Sequence, residues 1–348
     1  MSDTLTITRP DDWHLHVRDG AMLHTVVPFT ARQFGRALIM PNLTPPVTTS
    51  TMAMAYRERI LQAVPKTHSF NPVMSLYLTD NTSVEEVDAA ADNPAVVGFK
   101  LYPAGATTNS QSGVTSISNV MSVLERMAEK GVILQIHGEV TDPQIDIFDR
   151  EAVFIEQILH PLRREIPALR IILEHITTTD AVEYVKDGSV ETLAATITPQ
   201  HLMYSRNAIF QGGIRPHYYC LPILKRSTHQ AALQAAATSG DARFFLGTDS
   251  APHRRHDKES ECGCAGCFTA MNAIELYAEV FDSLDQLHRL EAFSSFHGAD
   301  FYGLPRNDSK ITLDRVEWVT PDSIPVDGEA HSLQPFDAGV VRRWKQRH

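Results

Sequence analysis

The chain has 348 residues, 43% of them apolar, and its 42 Asp and Glu outnumber its 31 Lys and Arg to give a formal net charge of -11. That acidic balance argues against nucleic acid as the main partner, because phosphate binding needs a concentrated basic surface. The first residues lack the basic start and apolar run of a secretory signal, and no stretch approaches the roughly 18 consecutive apolar residues of a membrane span, so we expect a cytoplasmic protein.

Eight short apolar segments recur along the chain and are predicted as β-strands. Most of them are apolar at nearly every position, which is typical of parallel strands buried on both faces. They are Trp13–Val17, Arg36–Met40, Val73–Leu78, Val96–Leu101, Val132–Ile136, Arg170–Leu173, Leu193–Ile197 and Phe244–Leu246.

Segments with the helical spacing of apolar residues follow these strands. They are Met22–Phe34, Met52–Val64, Val84–Ala91, Ile117–Lys130, Ile145–Leu159, Ala181–Val185, Lys225–Thr238, Met271–Phe281 and Leu287–Ser295. The repeated alternation of strand and helix predicts an α/β protein with a closed (β/α)8 TIM barrel. An open doubly wound sheet is the competing architecture, but the glycine-rich fingerprint that would follow its first strand is missing.

The end of the chain has a different character from the barrel region. Residues from about 307 to 348 mix polar and β-branched side chains with several prolines. No low-complexity linker separates this stretch from the rest. We therefore predict a single domain over residues 1–348, with a peripheral C-terminal extension.

The first predicted strand carries histidines on one face. Side chains two residues apart on a strand point to the same side, so His14, His16 and Arg18 share a face. Two imidazoles placed in this way can ligate one metal ion, although an incidental histidine pair explains the pattern equally well. With only 4 Cys against 16 His, a metal centre in this chain is expected to use imidazole and carboxylate ligands.

Polar residues also mark the ends of four later strands. They are Lys100, His137, His175 and Asp249. Each of them alone is explained as a capping or surface group. Because strand ends converge on the C-terminal face of a barrel, where active sites are built, their joint occurrence predicts a metal centre there.

Lys100 is the exception among these residues, because an ammonium cannot ligate a metal. It is either a surface lysine with its charge in water or in an ion pair, or a neutral amine that has reacted with carbon dioxide. The resulting carbamate is an anion whose two oxygens suit a bridge between two divalent ions. The residue pattern leaves both readings open.

Six motifs, with the residues at the strand ends, resemble the dihydroorotases of the shorter bacterial type, within the amidohydrolase superfamily. The motifs are Arg9–Gly20 (RPDDWHLHVRDG), Met40–Leu43 (MPNL), Gly113–Ser116 (GVTS), His137–Val140 (HGEV), Glu174–Thr178 (EHITT) and Gly247–His253 (GTDSAPH). The resemblance extends from about residue 9 to residue 305, and no expected ligand position departs from it.

This resemblance implies a zinc-dependent cyclic amidohydrolase that interconverts L-dihydroorotate and N-carbamoyl-L-aspartate in de novo pyrimidine (UMP) biosynthesis. It implies two Zn2+ per chain, one held by His14, His16 and Asp249 and the other by His137 and His175. Carboxylated Lys100 (N6-carboxylysine) and a hydroxide would bridge the ions. Asp249 would also be the catalytic group that moves the proton, and the chain is expected to form a homodimer.

The resemblance also implies the substrate contacts. Arg18, Asn42 and His253 would hold the substrate carboxylate, Thr107 and Thr108 would reach it from a lid, and main-chain groups of Leu221 and Ala265 would meet the ring amides. From the residues alone, Arg18 is equally a surface ion pair, Asn42 a turn residue and His253 an ordinary loop histidine.

Three further interpretations compete with this one. Cys262, Cys264 and Cys267, with Cys220 as a fourth ligand, have the composition of a structural zinc knuckle, although free thiols are the simpler interpretation. The enzyme is alternatively a hydantoinase or dihydropyrimidinase, which would need no carboxylate clamp. A non-catalytic barrel that serves as an assembly partner is the third, but such a scaffold would be expected to lose ligands.

Overall fold

The computed structural model describes residues 3–347. Its strands are β1 (Thr4–Thr8), β2 (Asp11–Leu15), β3 (Arg36–Ile39), β4 (Asn71–Leu78), β5 (Val96–Leu101), β6 (Ile133–His137), β7 (Ile171–Glu174), β8 (Leu193–Ile197), β9 (Phe244–Leu246), β10 (Lys310–Val319), β11 (Ile324–Pro325), β12 (Ser332–Leu333) and β13 (Val341–Gln346).

Helices cover the outside of the strands. They are α1 (Gly20–Gln33), α2 (Ser50–Ala63), α3 (Val84–Ala91), α4 (Met121–Lys130), α5 (Arg150–Phe154), α6 (His160–Glu165), α7 (Thr179–Lys186), α8 (Pro199–Met203), α9 (Ser227–Thr238), α10 (Arg255–Lys258), α11 (Ala273–Ser283) and α12 (His297–Tyr302). Within residues 3–347, no helix is both long enough and apolar enough to cross a bilayer.

The strands β2 to β9 form one parallel sheet in chain order. Its two ends meet through main-chain hydrogen bonds just beyond the strands: the Asp249 N–H donates to the His14 carbonyl (2.9 Å), and the His16 N–H donates to the Ser250 carbonyl (3.0 Å). The predicted (β/α)8 barrel is therefore confirmed, and the open doubly wound sheet is excluded. This seam also brings the two histidines of the first barrel strand beside Asp249.

The base of the barrel is closed by apolar side chains. Trp13 stacks on Tyr302 of α12 with ring centroids 4.4 Å apart, and Ile133, Ile172 and Phe245 pack in the same cluster. A Cβ at Gly298 would lie 2.0 Å from the Trp13 indole nitrogen, so only glycine allows α12 to approach this closely.

The predicted helix bounds differ from the structure by more than two residues in three places. The segment predicted as Leu287–Ser295 is a 3-10 turn (Leu287–Arg289) followed by a π-helical turn (Ala292–Phe296). The segment predicted as Ile117–Lys130 begins with a 3-10 turn (Ile117–Val120) and becomes α-helical only at Met121. The segment predicted as Ile145–Leu159 begins at Arg150, because residues before it form turns, and it continues through a π-helical turn to Glu165.

The two ends of the described chain form a second sheet that the sequence analysis did not predict. β10 pairs antiparallel with both β1 and β13, with Thr6 opposite Thr312 and Leu313 opposite Gln346. Trp344 of β13 is fully buried. The C-terminal segment, predicted as peripheral, thus contains one strand, β10, that pairs with the beginning of the described chain.

Candidate metal centre and active site

A single cavity at the C-terminal ends of the barrel strands gathers most of the predicted site residues. It is lined by His14, His16, Arg18, Asn42, Tyr102, Thr107, Thr108, His137, His175, Leu221, Asp249, Ala251, Ala265 and Gly266. Lys100 is fully buried two residues before Tyr102, and His253 lines an adjoining cavity with Arg18. The strand ends therefore bring together residues that are up to 251 positions apart in the chain, from His14 to Ala265.

His14, His16 and Asp249 form a compact group of metal-ligating side chains. The Nε2 atoms of the two histidines lie 3.4 and 3.2 Å from Asp249 Oδ1, and all three side chains are buried. Asp249 has a φ of 45°, in the left-handed region that non-glycine residues rarely adopt. Two imidazole nitrogens and one carboxylate oxygen in contact suit a divalent ion such as zinc.

The outward nitrogen of each of three histidines is held by a polar partner. His14 Nδ1 donates to Glu174 (3.0 Å), and His16 Nδ1 donates to Asn42 Oδ1 (2.8 Å). His137 instead uses Nε2, which donates to Glu139 (2.8 Å). In metal sites such partners fix the ring and the tautomer so that the other nitrogen faces the ion.

A buried carboxylate fixes the first and last barrel strands to each other. Asp12 accepts hydrogen bonds from the His14 N–H (3.1 Å), the Thr248 N–H (2.9 Å) and the Thr248 hydroxyl (2.6 Å). Burial raises the pKa of Asp12 to about 7, against the lowering effect of these hydrogen bonds. This residue sets the spacing between His14 and Asp249.

Buried groups in this region that have no hydrogen-bond partner among the described residues include Lys100 Nζ, His175 Nδ1 and the Tyr102 hydroxyl. The His175 ring centroid lies 4.9 Å from that of His14 and 4.8 Å from that of His137. Burial lowers the pKa of Lys100 to about 8 and holds the pKa of His175 well below its usual value. An unpartnered buried ammonium is costly, so this environment increases the share of the neutral amine, the form that reacts with carbon dioxide.

Arg18 and His253 form a cationic corner of the site. Arg18 Nη2 lies 3.2 Å from His253 Nε2, and Arg18 Nε donates to the Pro252 carbonyl (3.1 Å). Burial and the neighbouring Arg18 charge lower the pKa of His253 to about 2, so the imidazole is neutral. A guanidinium beside a neutral imidazole is well suited to a carboxylate.

The segment after β5 lies across the cavity and is held there by amides. Asn42 Nδ2 donates to the Thr108 carbonyl (3.1 Å), Asn109 Nδ2 donates to the Asn42 carbonyl (3.1 Å), and the Tyr77 hydroxyl donates to the Asn109 carbonyl (3.2 Å). The Thr108 hydroxyl also lies 3.5 Å from the Ala265 carbonyl. Asn42 thus contacts both His16 and the segment predicted to be a lid, residues 103–110, which is called the lid segment below.

The cysteines do not form a metal site in the described part of the chain. The Cys262 and Cys264 sulfurs lie 3.5 Å apart, and Cys220 and Cys267 are buried free thiols. Within residues 3–347, the one group of three or more metal-ligating side chains is the set His14, His16 and Asp249. The structure therefore gives no support to the zinc-knuckle interpretation.

The site also contains residues that the sequence analysis did not assign: Asp12, Tyr102, Glu139 and Glu174. A signal was present for two of them. Glu174 directly precedes His175, and Glu139 follows His137 by two residues, so each occurs inside a motif that was noted for its histidine. Glu174 holds His14, which is on another strand, and the contact of Glu139 with His137 depends on the loop after β6. The spacing of residues in the sequence predicts neither contact.

Comparisons with known proteins agree with this site. The model of the amidohydrolase family matches residues 8–313. A dihydroorotase of Variovorax paradoxus (strain S110) is 62% identical over 345 residues, 99% of either chain. The crystal structure of a Campylobacter jejuni dihydroorotase superposes with a TM-score of 0.91 at 35% identity, covering 100% of this chain and 98% of the other.

A Saccharomyces cerevisiae dihydroorotase, solved in complex with 5-fluoroorotic acid, superposes equally well. Its TM-score is 0.91 at 34% identity, and the match covers 99% of each chain. Similarity of this kind extends over the barrel and over both terminal segments.

Proposed function

The chain belongs to the amidohydrolase family, with dihydroorotases as its full-length relatives, and we propose that it catalyses the reversible hydrolysis of L-dihydroorotate to N-carbamoyl-L-aspartate in pyrimidine biosynthesis. The observation that carries this proposal is the placement of a carboxylate-binding corner, Arg18 and His253, beside a buried group of metal-ligating side chains. A cyclic amide that bears a carboxylate fits such a site, because the carboxylate can bind at the Arg18–His253 corner while the amide lies beside the metal-ligating side chains.

The ligands present fit a two-zinc centre. His14, His16 and Asp249 would hold one ion, His137 and His175 the other, and carboxylated Lys100 would lie between them. Support comes from Lys100 Nζ and His175 Nδ1, two buried nitrogen atoms without a hydrogen-bond partner among the described residues, as expected near a carbamate and a metal site. When bound, such ions polarise a carbonyl and lower the pKa of water.

Asp249 moves the proton in this proposal. Its carboxylate would accept a proton from the attacking water and deliver it to the ring nitrogen as the C–N bond breaks. In the biosynthetic direction it would take the proton from the carbamoyl amine. Burial raises the pKa of Asp249, which makes this carboxylate a stronger base than an exposed aspartate.

The remaining residues orient the substrate. Arg18 and His253 would bind its carboxylate, assisted by Asn42, while Thr107 and Thr108 would reach it from the lid. Main-chain groups of Leu221 and Ala265 would meet the ring amides, and both residues line the cavity. The yeast relative's ligand, 5-fluoroorotic acid, is likewise a pyrimidine with a carboxylic acid group.

The proposal extends to the organisation of the protein. We expect a single domain over residues 1–348, a homodimer, and a cytoplasmic location in keeping with a biosynthetic enzyme acting on small molecules. Sedimentation analysis of the purified chain tests the dimer, which requires twice the 38.7 kDa mass of one chain.

The direct test is substrate preference. Purified protein is assayed on L-dihydroorotate and, under the same conditions, on dihydrouracil and hydantoin, which lack the carboxylate. Turnover of dihydroorotate with little activity on the uncharged rings is expected. A preference for the uncharged rings would instead make the protein a hydantoinase or dihydropyrimidinase, and no turnover of any ring would favour the non-catalytic barrel.

A further inference from the structure

Tyr102 is a cavity-lining residue to which the roles above give no task. It directly follows β5, two residues after Lys100, and is 1% exposed. Its side chain lines the site cavity, and its hydroxyl has no hydrogen-bond partner among residues 3–347. A buried hydroxyl without a partner is unfavourable, so a phenol kept in this position indicates a bound partner that satisfies it.

The neighbouring tyrosine has a different environment. The Tyr77 ring packs on the Tyr102 ring with centroids 5.0 Å apart, but its hydroxyl donates to the Asn109 carbonyl in the lid segment. The pair thus contains one hydroxyl that is satisfied by the protein and one that is available to a ligand.

The barrel order places Tyr102 opposite the carboxylate-binding corner. Arg18 follows β2 and His253 follows β9, which are neighbours at the seam, whereas β5 and β6 lie across the eight-stranded ring. The Tyr102 ring centroid is 5.3 Å from Lys100 Nζ and 6.3 Å from the His137 ring centroid. Tyr102 therefore lies beside two of the proposed ligands, Lys100 and His137.

The phenol is a neutral donor. A tyrosine phenol ordinarily has a pKa of about 10, so it keeps its proton at neutral pH. A hydroxyl of this kind donates a hydrogen bond without releasing its proton, and it gains most where negative charge develops on an acceptor in a water-poor site.

We propose that Tyr102 is a further catalytic residue, whose hydroxyl donates a hydrogen bond to the substrate carbonyl oxygen that becomes negatively charged during hydrolysis. The inference rests on the proposed function. With its carboxylate held at the Arg18–His253 corner, the substrate presents its ring to the β5–β6 wall. The O–H bond of Tyr102 stays intact: water adds to the carbonyl carbon, the C–N bond breaks, and the proton passes through Asp249.

The test is the variant Tyr102→Phe, which removes one oxygen atom. Loss of a donor to a developing oxyanion lowers kcat by roughly 100-fold, and we expect KM to stay within about threefold of wild type because the ground-state carbonyl carries little charge. Bound metal per chain and the unfolding temperature are measured on the same preparations and are expected to match wild type.

Tyr302→Phe is the matched control. This phenol is also buried, but it lies at the base of the barrel and accepts a hydrogen bond from Gln135 (3.1 Å). Its removal is expected to leave kcat and KM unchanged. The comparison separates loss of a hydroxyl in the cavity from loss of any buried hydroxyl.

The remaining outcomes contradict the inference. If Tyr102→Phe has a kcat within threefold of wild type, the hydroxyl is dispensable for catalysis. If KM rises while kcat is normal, the hydroxyl is only a ground-state contact. If bound metal is lost, Tyr102 is a structural support of the ligands. Failure of the proposed function is recognised separately, because the wild-type protein would then not turn over dihydroorotate. The inference about Tyr102 would then be wrong as well.

Discussion

At its base the barrel is filled by apolar rings, with Trp13 stacked on Tyr302, whereas at its mouth the same strands end in buried histidines, carboxylates and a lysine. His175 and Asp249 at the mouth have φ values of 41° and 45°, a backbone conformation that costs of the order of 1 kcal/mol or more at each residue. The base has none of the proposed ligands. Stability is therefore concentrated at one end and chemistry at the other, and substitutions at the two ends should have separable effects.

The largest effect is expected from Lys100→Ala at the mouth. Loss of the proposed carbamate on Lys100 should reduce metal binding. It should also lower turnover by about 10^4-fold or more, as is typical when one of several catalytic residues that act together is removed. Short carboxylic acids such as acetate should restore part of the activity by replacing the carbamate. Full metal content and full activity without any additive would end the carbamate proposal.

Asp249→Asn removes the proposed proton carrier but keeps an oxygen and the shape of the side chain. Turnover is expected to fall by roughly 10^3- to 10^4-fold, with the fold retained and metal still bound. Steady-state kinetics and metal analysis of the same sample check this. Activity within tenfold of wild type would remove Asp249 as the proton carrier.

Tyr302→Ala tests the apolar base of the barrel. Removing this buried ring should lower the free energy of unfolding by about 3–5 kcal/mol, while kcat and KM of the folded fraction stay normal. Denaturant titration gives the first quantity and kinetics at low temperature the second. An altered KM, with stability unchanged, would contradict the separation of the two ends.

Arg18→Lys, at the mouth of the barrel, is expected to have a smaller effect. A lysine keeps the charge but loses the flat two-pronged contact with a carboxylate, so KM for dihydroorotate should rise about 10- to 100-fold, equivalent to about 1.5–3 kcal/mol. The comparison is with hydantoin, whose turnover should not respond to the substitution. Unchanged kinetics on dihydroorotate would count against the clamp.

The smallest effect is expected in the terminal sheet, where Arg315 of β10 donates to Asp282 at 2.6 and 2.7 Å. Hydrogen bonding to Arg315 lowers the pKa of Asp282 from its usual 3.8. The carboxylate therefore adds stability above pH 4 and loses it as the pH falls through the lowered pKa. Because the pair is partly exposed, Asp282→Asn should cost less than about 1 kcal/mol at pH 7.

Denaturant titrations of wild type and Asp282→Asn at several pH values check this sign. The stability difference should be constant between pH 7 and pH 5 and should shrink below about pH 4. A difference that already changes between pH 7 and pH 5 would show that another group is responsible.

The barrel could be predicted from the sequence because each of its strands is a local apolar segment followed by a helix. Val96–Leu101, Leu193–Ile197 and Phe244–Leu246 have the bounds that were predicted. The sheet of β1, β10 and β13 could not be predicted, because the pairs of β1 with β10 join residues about 300 positions apart and its strands are half exposed. The alternation of Thr with Leu5 and Ile7 was its one local signal.

The positions of the proposed metal ligands were predictable for a similar reason, since parallel strand ends meet at one face of a barrel irrespective of loop conformation. Their supporting partners were not. Asp12 precedes His14 by two residues, yet its main contact is with Thr248, which is 236 positions later in the chain. The orientation of Tyr102, and the contact of Asn42 with both His16 and the predicted lid segment, depend on loop conformations that residue spacing does not determine.

The most direct test of the account is the dependence of turnover on bound metal. The protein is stripped with a chelator and then titrated with Zn2+, while dihydroorotate hydrolysis and bound metal are followed together. Turnover should be lost on stripping and should return in step with bound metal, reaching its maximum at two ions per chain. Full activity of the stripped protein, or a maximum at a different number of ions, would contradict the two-metal centre at the mouth of the barrel.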